Sequence, residues 1–540
     1  MASSRRSLFI IPFTVVGCAI LAGIIVPGVE EVSAATADSD IDQATKSFTS
    51  VYALVESNFA DRVAPDKGIY RGAIQGMLRT LDPHSNFFDP KAYEEMREDQ
   101  RGRYYGVGMM IGPQGTHQVV IAPTPGAPAY KAGLRPGDVL MEVNDKKCEG
   151  LSTSDVANIL RGPRGTKVTI KVAREGVEKP IAFEVMRDEI PKKTVHESHF
   201  VKPGIGYIDI ESFSSETTGR EVEENLAKLG EKNIKGLILD LRDNPGGLLT
   251  EGVSVADMFI QRGQKIVSHR GRSSQEKRYL AQRGSKSADY PIVVLVSRSS
   301  ASAAEIVAGA LQDHDRAWIL GDNTFGKGLV QTVYPLNENT ALALTTAKYY
   351  TPSDRLIQRD YSHTSFVDYY YRKNTEAKNP QDVKMTDSGR TVYGGGGISP
   401  DEKFVPADYN KFQLKVARKQ AFFKFSAGFF GSREAKLPAG WVPDQQVMND
   451  FHQYLLKEKV DFTEAEWAEN NDWLKQQVRR EIYITAFGTD EARKLAVDND
   501  PAVQKAIESM PKAKQLLDTA KKTIVQRMTP AGDRVAAQNE

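Results

Sequence analysis

Apolar and polar positions change rhythm several times along this chain, and each change marks a new class of element. From Ile41 to Leu81 the residues Phe48, Val51, Leu54, Val55, Ile74, Met77 and Leu78 recur at three- and four-residue spacing, which predicts helices. Ala64-Pro65-Asp66-Lys67-Gly68 interrupts them, and the second stops at Leu81-Asp82-Pro83-His84-Ser85. Between Tyr104 and Val185 the pattern turns to short β runs at 119–122, 139–143 and 168–172, with helical signals only at 128–132 and 154–160. Ser154 reads as the N-cap of the latter. From Gly204 to Tyr350 strands alternate with helices. Residues 205–210, 236–241 and the continuous apolar run 291–296 read as strands, and 221–229 and 303–311 as helices. That is an α/β core with a largely parallel sheet. A polar stretch, 362–388, precedes four consecutive glycines, Gly394 to Gly397, which predict irregular chain. From Asp408 to Gln526 the sequence is helical, charged and aromatic in patches, with Pro501 and Pro511 starting or breaking helices.

At 540 residues the chain exceeds a single core, and roughly two to four domains are expected. Its 71 basic and 70 acidic residues leave a formal charge of +1, which offers no field for nucleic acid. The start is the exception to this soluble pattern. Arg5 and Arg6 precede an uncharged run from Leu8 to Val26, followed by Pro27-Gly28 and Glu30-Glu31. Such a segment is an export signal. It is long enough to remain as a membrane anchor, while Val32-Ser33-Ala34 offers a cleavage site and Cys18 a weaker lipidation site. The body is therefore expected outside the cytoplasm, periplasmic or held at the inner membrane. Only Cys148 lies beyond that segment, so neither an intrachain disulfide nor a cysteine-rich zinc site is expected. No HExxH occurs, and His196 and His199 read as surface residues on a strand, so no metal or cofactor is expected.

Three segments carry candidate chemistry. Ser300-Ala301-Ser302-Ala303-Ala304-Glu305-Ile306 follows the 291–296 strand, where a serine among small residues at a helix N-terminus can face a substrate. A serine there can equally be a helix cap. Phe325-Gly326-Lys327-Gly328-Leu329-Val330-Gln331 places a lysine between glycines at the mouth of a strand, with Gln331 expected on the same face to hold its amine. A lysine acts as a base at neutral pH only if desolvation lowers its pKa from about 10.4 by about three units. Asp240-Leu241-Arg242-Asp243-Asn244-Pro245-Gly246-Gly247 ends another strand, and its glycines can aim backbone N–H groups at an oxyanion, together with the N–H of Ala303.

In their order and spacing these segments resemble the carboxy-terminal processing, or tail-specific, peptidase family, from Leu81-Asp82-Pro83-His84-Ser85 through to Gly397-Ile398-Ser399-Pro400-Asp401. The resemblance implies that Ser302, not Ser300, is the nucleophile, Lys327 the base and Gln331 its partner, with Gly246 and Ala303 as oxyanion donors. The chain departs at Ser297 and Ser299, where related sequences commonly carry Asn and Gly. The β-rich stretch resembles a PDZ domain: Gly106, Val107 and Gly108 match the loop that holds a peptide's terminal carboxylate, and Pro128 to Asp138 matches a turn of protease PDZ domains. Arg161, in the turn after the second PDZ helix, is a candidate for coupling tail capture to catalysis.

The implied fold is multidomain α/β. A signal peptide or membrane anchor spans 1–35, a helical region 36–103, an inserted PDZ domain 104–190, a crotonase/ClpP-like peptidase core 191–404 and a helical domain 405–540. The implied function is a Ser/Lys endopeptidase that acts on protein substrates through their C-terminal tails, with the last domain as a candidate homodimer arm. Three alternatives compete. A Ser-His-Asp hydrolase would use Asp313 and His314, but no GxSxG elbow surrounds the serine. An inactive PDZ adaptor would lack Ser302, Lys327 or Gln331, and a crotonase-like acyl enzyme would lack the PDZ insertion.

Overall fold

The computed structural model describes residues 38–528, apart from 65, 197, 285–288, 363, 372–381, 431–435 and 439. The export segment, Cys18 and the candidate cleavage site lie outside the described residues.

Strands Ile205–Asp209, Gly236–Asp240, Ile292–Val296, Trp318–Gly321 and Glu402–Lys403 run parallel in one sheet, edged by the antiparallel strand His199–Lys202. Their near-continuous apolar runs follow from burial on both faces. On one side Leu237, Leu239 and Val294 meet the helices Thr218–Leu229, Leu249–Asp257 and Ala303–Asp313, through Val222, Val255 and Val307. On the other, Ile238, Val293 and Leu295 meet Val503, Ala506 and Met510 of the helix Pro501–Met528. Pro501 starts that helix, but Pro511 lies inside it and does not break it.

A second sheet is antiparallel and is not predicted by the periodicity. Ala341–Tyr350 pairs with Asn86–Phe88, Lys265–Gly271 and Leu329–Pro335, and Lys265–Gly271 with Ser274–Leu280. The helix Pro90–Arg101, started by an Asp89 cap and a first-turn proline, covers it. Its Tyr93 and Met96 pack with Phe88, Val333, Ala343 and Leu248, the residue after the Gly246-Gly247 pair.

The PDZ-like stretch is closed at its base where Arg103–Gly106 pairs with Asp188–Pro191. Its sheet runs Met109–Gln114, His117–Pro123, Val139–Val143, Lys167–Ala173, Ile181–Met186, which leaves Met109–Gln114 as an edge. The helix beside that edge is Thr153–Leu160, and Ser152 caps it, not Ser154. The reason is Asp155, which stands three residues after Ser152 and completes a capping box with it. Arg187 closes the other end, bonding Ile159 O (2.9 Å) and Leu160 O (3.0 Å).

In the C-terminal region Phe412, Phe422, Phe451, Leu474 and Ile482 build an aromatic-rich core from the helices Lys411–Arg418, Ala421–Phe430, Gln445–Lys457 and Asn471–Phe487. The N-terminal helix Asp38–Asn58 is different. Its apolar stripe, Ile41, Phe48, Val51, Leu54 and Val55, is exposed. Among the described residues no helix is long and apolar enough to cross a membrane.

Candidate active site

The parallel strand Ile292–Val296 ends in a turn whose serines do different work. Ser297 Oγ accepts from Asp243 N (2.9 Å) and donates to Asp243 Oδ1 (3.1 Å), so the departure there still ties the turn to the glycine loop. Ser300 Oγ accepts from Ser297 N (2.8 Å) and donates to Leu241 O (2.6 Å), which makes it a clamp. Ser302 heads the helix Ala303–Asp313 with a φ of 55° and is fully buried. Its Oγ has no hydrogen-bond partner among the described residues. A left-handed serine is strained, and a buried unpaired hydroxyl costs about 1–3 kcal/mol. Neither helps the core pack.

Two buried side chains lash this serine to the lysine turn. Glu305 accepts from Ser302 N (2.9 Å), Gly326 N (2.7 Å), Lys327 N (2.8 Å) and the Thr324 hydroxyl. Burial raises its pKa against the pull of those bonds. Tyr349 does the reverse with one hydroxyl, donating to Ser302 O (3.1 Å) and to Lys327 O. Glu305 stands at capping-box spacing from Ser302, a signal the sequence did carry.

Lys327 is wholly buried, and it stands two residues before the strand Leu329–Pro335 rather than on it. The pairing with Ala341–Tyr350 also slips by one residue between Val330 and Gln331. Strict alternation therefore does not carry from Lys327 to Gln331. Gln331 does not hold the amine in this arrangement: its Nε2 donates to Thr345 Oγ1 (3.1 Å), and its Oε1 has no partner among the described residues.

A chain of hydrogen bonds instead runs round the lysine from Gly328 to Gln331. Gly328 N donates to Gln358 Oε1 (2.9 Å), Gln358 Nε2 to Tyr369 OH (3.2 Å), and Tyr369 OH meets His84 Nε2 (2.9 Å). Beside His84, Ser85 Oγ accepts from Thr345 N (3.1 Å), and Thr345 Oγ1 accepts from Gln331. Tyr369 accepts from Gln358 and can give its own proton to His84 Nε2, an arrangement that puts the imidazole proton on Nδ1. Burial, then the charges of Lys327 and Arg359, holds His84 well below the usual histidine range. Burial pushes Tyr369 up to about 12. Tyr349 and Tyr369 escape the sequence reading because they come from distant segments, and the polar stretch that hides Tyr369 folds as the helix Phe366–Tyr371.

Gly246, with a φ of 91°, lies against Ser302, where a Cβ would come within 2.6 Å of Ser302 Cβ and Ala301 O. Its N–H is taken by Asn244 Oδ1 (2.8 Å), which removes the expected Gly246 donor. The N–H groups of Gly247 and Ala303 have no partner among the described residues.

In the PDZ loop, Val107 O and Gly108 O accept from Ala129 N and Thr124 N, while the N–H groups of Val107 and Gly108 have no partner among the described residues. Gly108 has a φ of 71°, and a Cβ there would lie 2.4 Å from Ala127 Cβ. Gly106 ends the strand Arg103–Gly106 just before this loop. Arg161 does not reach the parallel-sheet core. It pairs with Glu98 Oε2 (2.9 Å) on the helix Pro90–Arg101 and lies over the Tyr104 ring.

The histidine triad is not assembled. His314 places Nδ1 on Asp387 Oδ2 (2.8 Å) and Nε2 on Lys265 O (2.7 Å), and Asp313 pairs with buried Arg355 (2.6 Å). His196 and His199 are not surface residues. Both are largely covered beside the helix Thr489–Asp498, and His196 faces Glu211 Oε2 at 3.2 Å.

Residues 204–362 match the family described as Peptidase family S41, and residues 119–174 match the PDZ domain. The carboxy-terminal-processing protease of Bartonella bacilliformis is 40% identical over 315 residues, 58% of this chain and 72% of that protein. The carboxy-terminal processing protease CtpB of Bacillus subtilis is 32% identical over 457 residues, 83% of this chain and 91% of its own. Among solved structures, the photosystem II D1 C-terminal processing protease is 28% identical over 69% of this chain and 90% of its own, at a TM-score of 0.36. With sequence similarity running through most of both chains, the protein belongs to the S41 peptidase family as a carboxy-terminal processing serine protease that carries a PDZ domain.

Proposed function

We propose that Ser302 and Lys327 form a Ser/Lys dyad that cleaves exported proteins whose C-terminal tails the PDZ domain captures. The contrast between the two serines of the turn carries this reading: Ser300 has its hydroxyl bonded on both sides, and Ser302 has none, beside a lysine tied to the same carboxylate. In the reaction, Ser302 Oγ attacks the scissile carbonyl carbon as Lys327 Nζ takes its proton. The oxyanion is stabilised by Ala303 N–H and by the glycine pair, through Gly247. Collapse expels the amine, which receives the proton from Lys327. A water deprotonated by Lys327 then attacks the acyl ester, releasing the new C-terminal carboxylate and Ser302 Oγ, which takes the proton back from Lys327. The parallel sheet with backbone oxyanion donors supports a crotonase/ClpP-like core.

Ser302 Oγ is not bonded to Lys327 in this arrangement, so a local closure precedes attack, with Gln331 turning to orient the amine. Tail capture at Gly106, Val107 and Gly108, where two N–H groups await an acceptor, favours that closure through Arg161. The body acts outside the cytoplasm, delivered by residues 1–35, and works as a homodimer. Cleavage of a tailed protein tests the dyad. Ser302→Ala should lose several orders of magnitude in kcat, about 10³-fold or more, and Ser300→Ala far less. Equal loss would leave the choice of nucleophile unsupported.

A further inference from the structure

Arg359 is a charged group that the reaction above leaves unused. It runs beside the lysine turn, its N–H donating to Gly326 O (3.0 Å). Its guanidinium lies over the Phe325 ring at 4.0 Å from the centroid and over the Tyr369 ring at 4.3 Å, and it also donates to Tyr369 O. No carboxylate pairs with it among the described residues, and its Nε has no partner there. A half-buried guanidinium normally finds a carboxylate, because desolvated charge is costly. Here ring faces and a carbonyl hold it in place and leave its charge uncompensated.

We propose that Arg359 is a positioning residue whose uncompensated charge makes the Lys327 ammonium easier to deprotonate. This rests on the reading of Lys327 as the base. The titratable groups gathered round the lysine turn among the described residues come from four elements. From the helix Ala303–Asp313 comes Glu305, whose oxygens are already shared among four donors and whose ionisation burial opposes. From the turn before the second sheet come Asp82, taken by His84 N, Ser85 N and Ser85 Oγ, and His84, which is held neutral. Tyr349 comes from the strand Ala341–Tyr350, and Tyr361, Tyr369 and Tyr370 from the segment after Arg359. Burial keeps all four phenols protonated. Arg359 is fastened to the residues just before Lys327, its N–H on Gly326 O (3.0 Å) and its guanidinium over the Phe325 ring, and the charges of both cations reach the one imidazole of His84. A unit charge about 10 Å away, at an effective dielectric of about 20, moves a neighbouring pKa by about one unit. Full burial of Lys327 disfavours its charged form in the same direction.

The test is the pH dependence of kcat/KM on a tailed peptide, alongside the pH dependence of fluorophosphonate acylation, for wild type, Arg359→Gln, Arg359→Lys and Lys327→Ala. Arg359→Gln should move the acid-side midpoint up by about one pH unit, with rates about tenfold lower below it and near wild type above it. Arg359→Lys keeps the charge and should leave the midpoint near that of wild type. A uniform drop with an unmoved midpoint overturns the proposal, as does a shift in Arg359→Lys as large as in Arg359→Gln. Should Arg359→Gln not fold, Arg359→Met, which keeps an uncharged stem against Phe325, is read the same way. Activity that survives Lys327→Ala overturns the base assignment itself, whatever Arg359 does.

Discussion

His84 shows how much of this site lies in single side chains far apart in sequence. Its motif, Asp82-Pro83-His84-Ser85, reads as a helix stop, yet it delivers a neutral imidazole to Tyr369 and a hydroxyl to Thr345. The folded pKa of His84 is depressed, so the unfolded chain takes up a proton first as pH falls below about 6.5. Stability held at neutral pH is therefore lost between that value and the folded pKa, with a slope of up to about 1.4 kcal/mol per pH unit from this residue. Urea denaturation at pH 7 and pH 5.5 checks this. His84→Gln should lose less stability between the two than wild type, and an equal loss in both would contradict the linkage. Ser302 and Lys327 are legible in the sequence because each sits inside a contiguous motif with a strand before or after it. Tyr349, Tyr369 and Arg359 are not, since only folding brings them to the lysine.

Among elements, the parallel sheet and its helices are readable because burial on both faces writes itself as unbroken apolar runs. The antiparallel sheet is not, since Lys265–Gly271 mixes charge with β-branched residues, and Ser274–Leu280 is mostly polar and exposed along much of its length. The alternation argument for Gln331 fails for a related reason: a slip in pairing is invisible without the partner strand. The helix Pro90–Arg101 supplies the partner of Arg161. It contacts the PDZ-like stretch through Glu98 and the glycine loop's neighbour Leu248 through Tyr93 and Met96. The Arg161–Glu98 pair is partly exposed, so its loss should cost stability only about 0.5 kcal/mol. If it couples tail capture to closure, Arg161→Ala and Glu98→Gln should each lower turnover of a tailed protein several-fold, about 3- to 10-fold, and the double variant no further. Additive losses in the kinetic cycle would mean that the two side chains act separately.

For the whole molecule, an exposed apolar stripe among the described residues lies on the N-terminal helix Asp38–Asn58, away in sequence from the expected homodimer arm. Phe48 (48%), Val51 (60%) and Leu54 (64%) stay exposed on one helix, whereas the helices after residue 405 turn their aromatic residues into a shared core. An apolar stripe on a lone helix calls for a partner helix. Replacing Val51 and Leu54 by Glu should convert a sedimenting dimer to monomer, and a dimer unaffected by the change would return the interface to the C-terminal helices.

In the proposed reaction one lysine activates one serine. The most direct measurement is mass spectrometry of the fluorophosphonate adduct on wild type and on Lys327→Ala. The adduct should form on Ser302 alone in wild type, with labelling at least about 100-fold slower without the lysine. An adduct on Ser300, or unchanged labelling of Lys327→Ala, would contradict it.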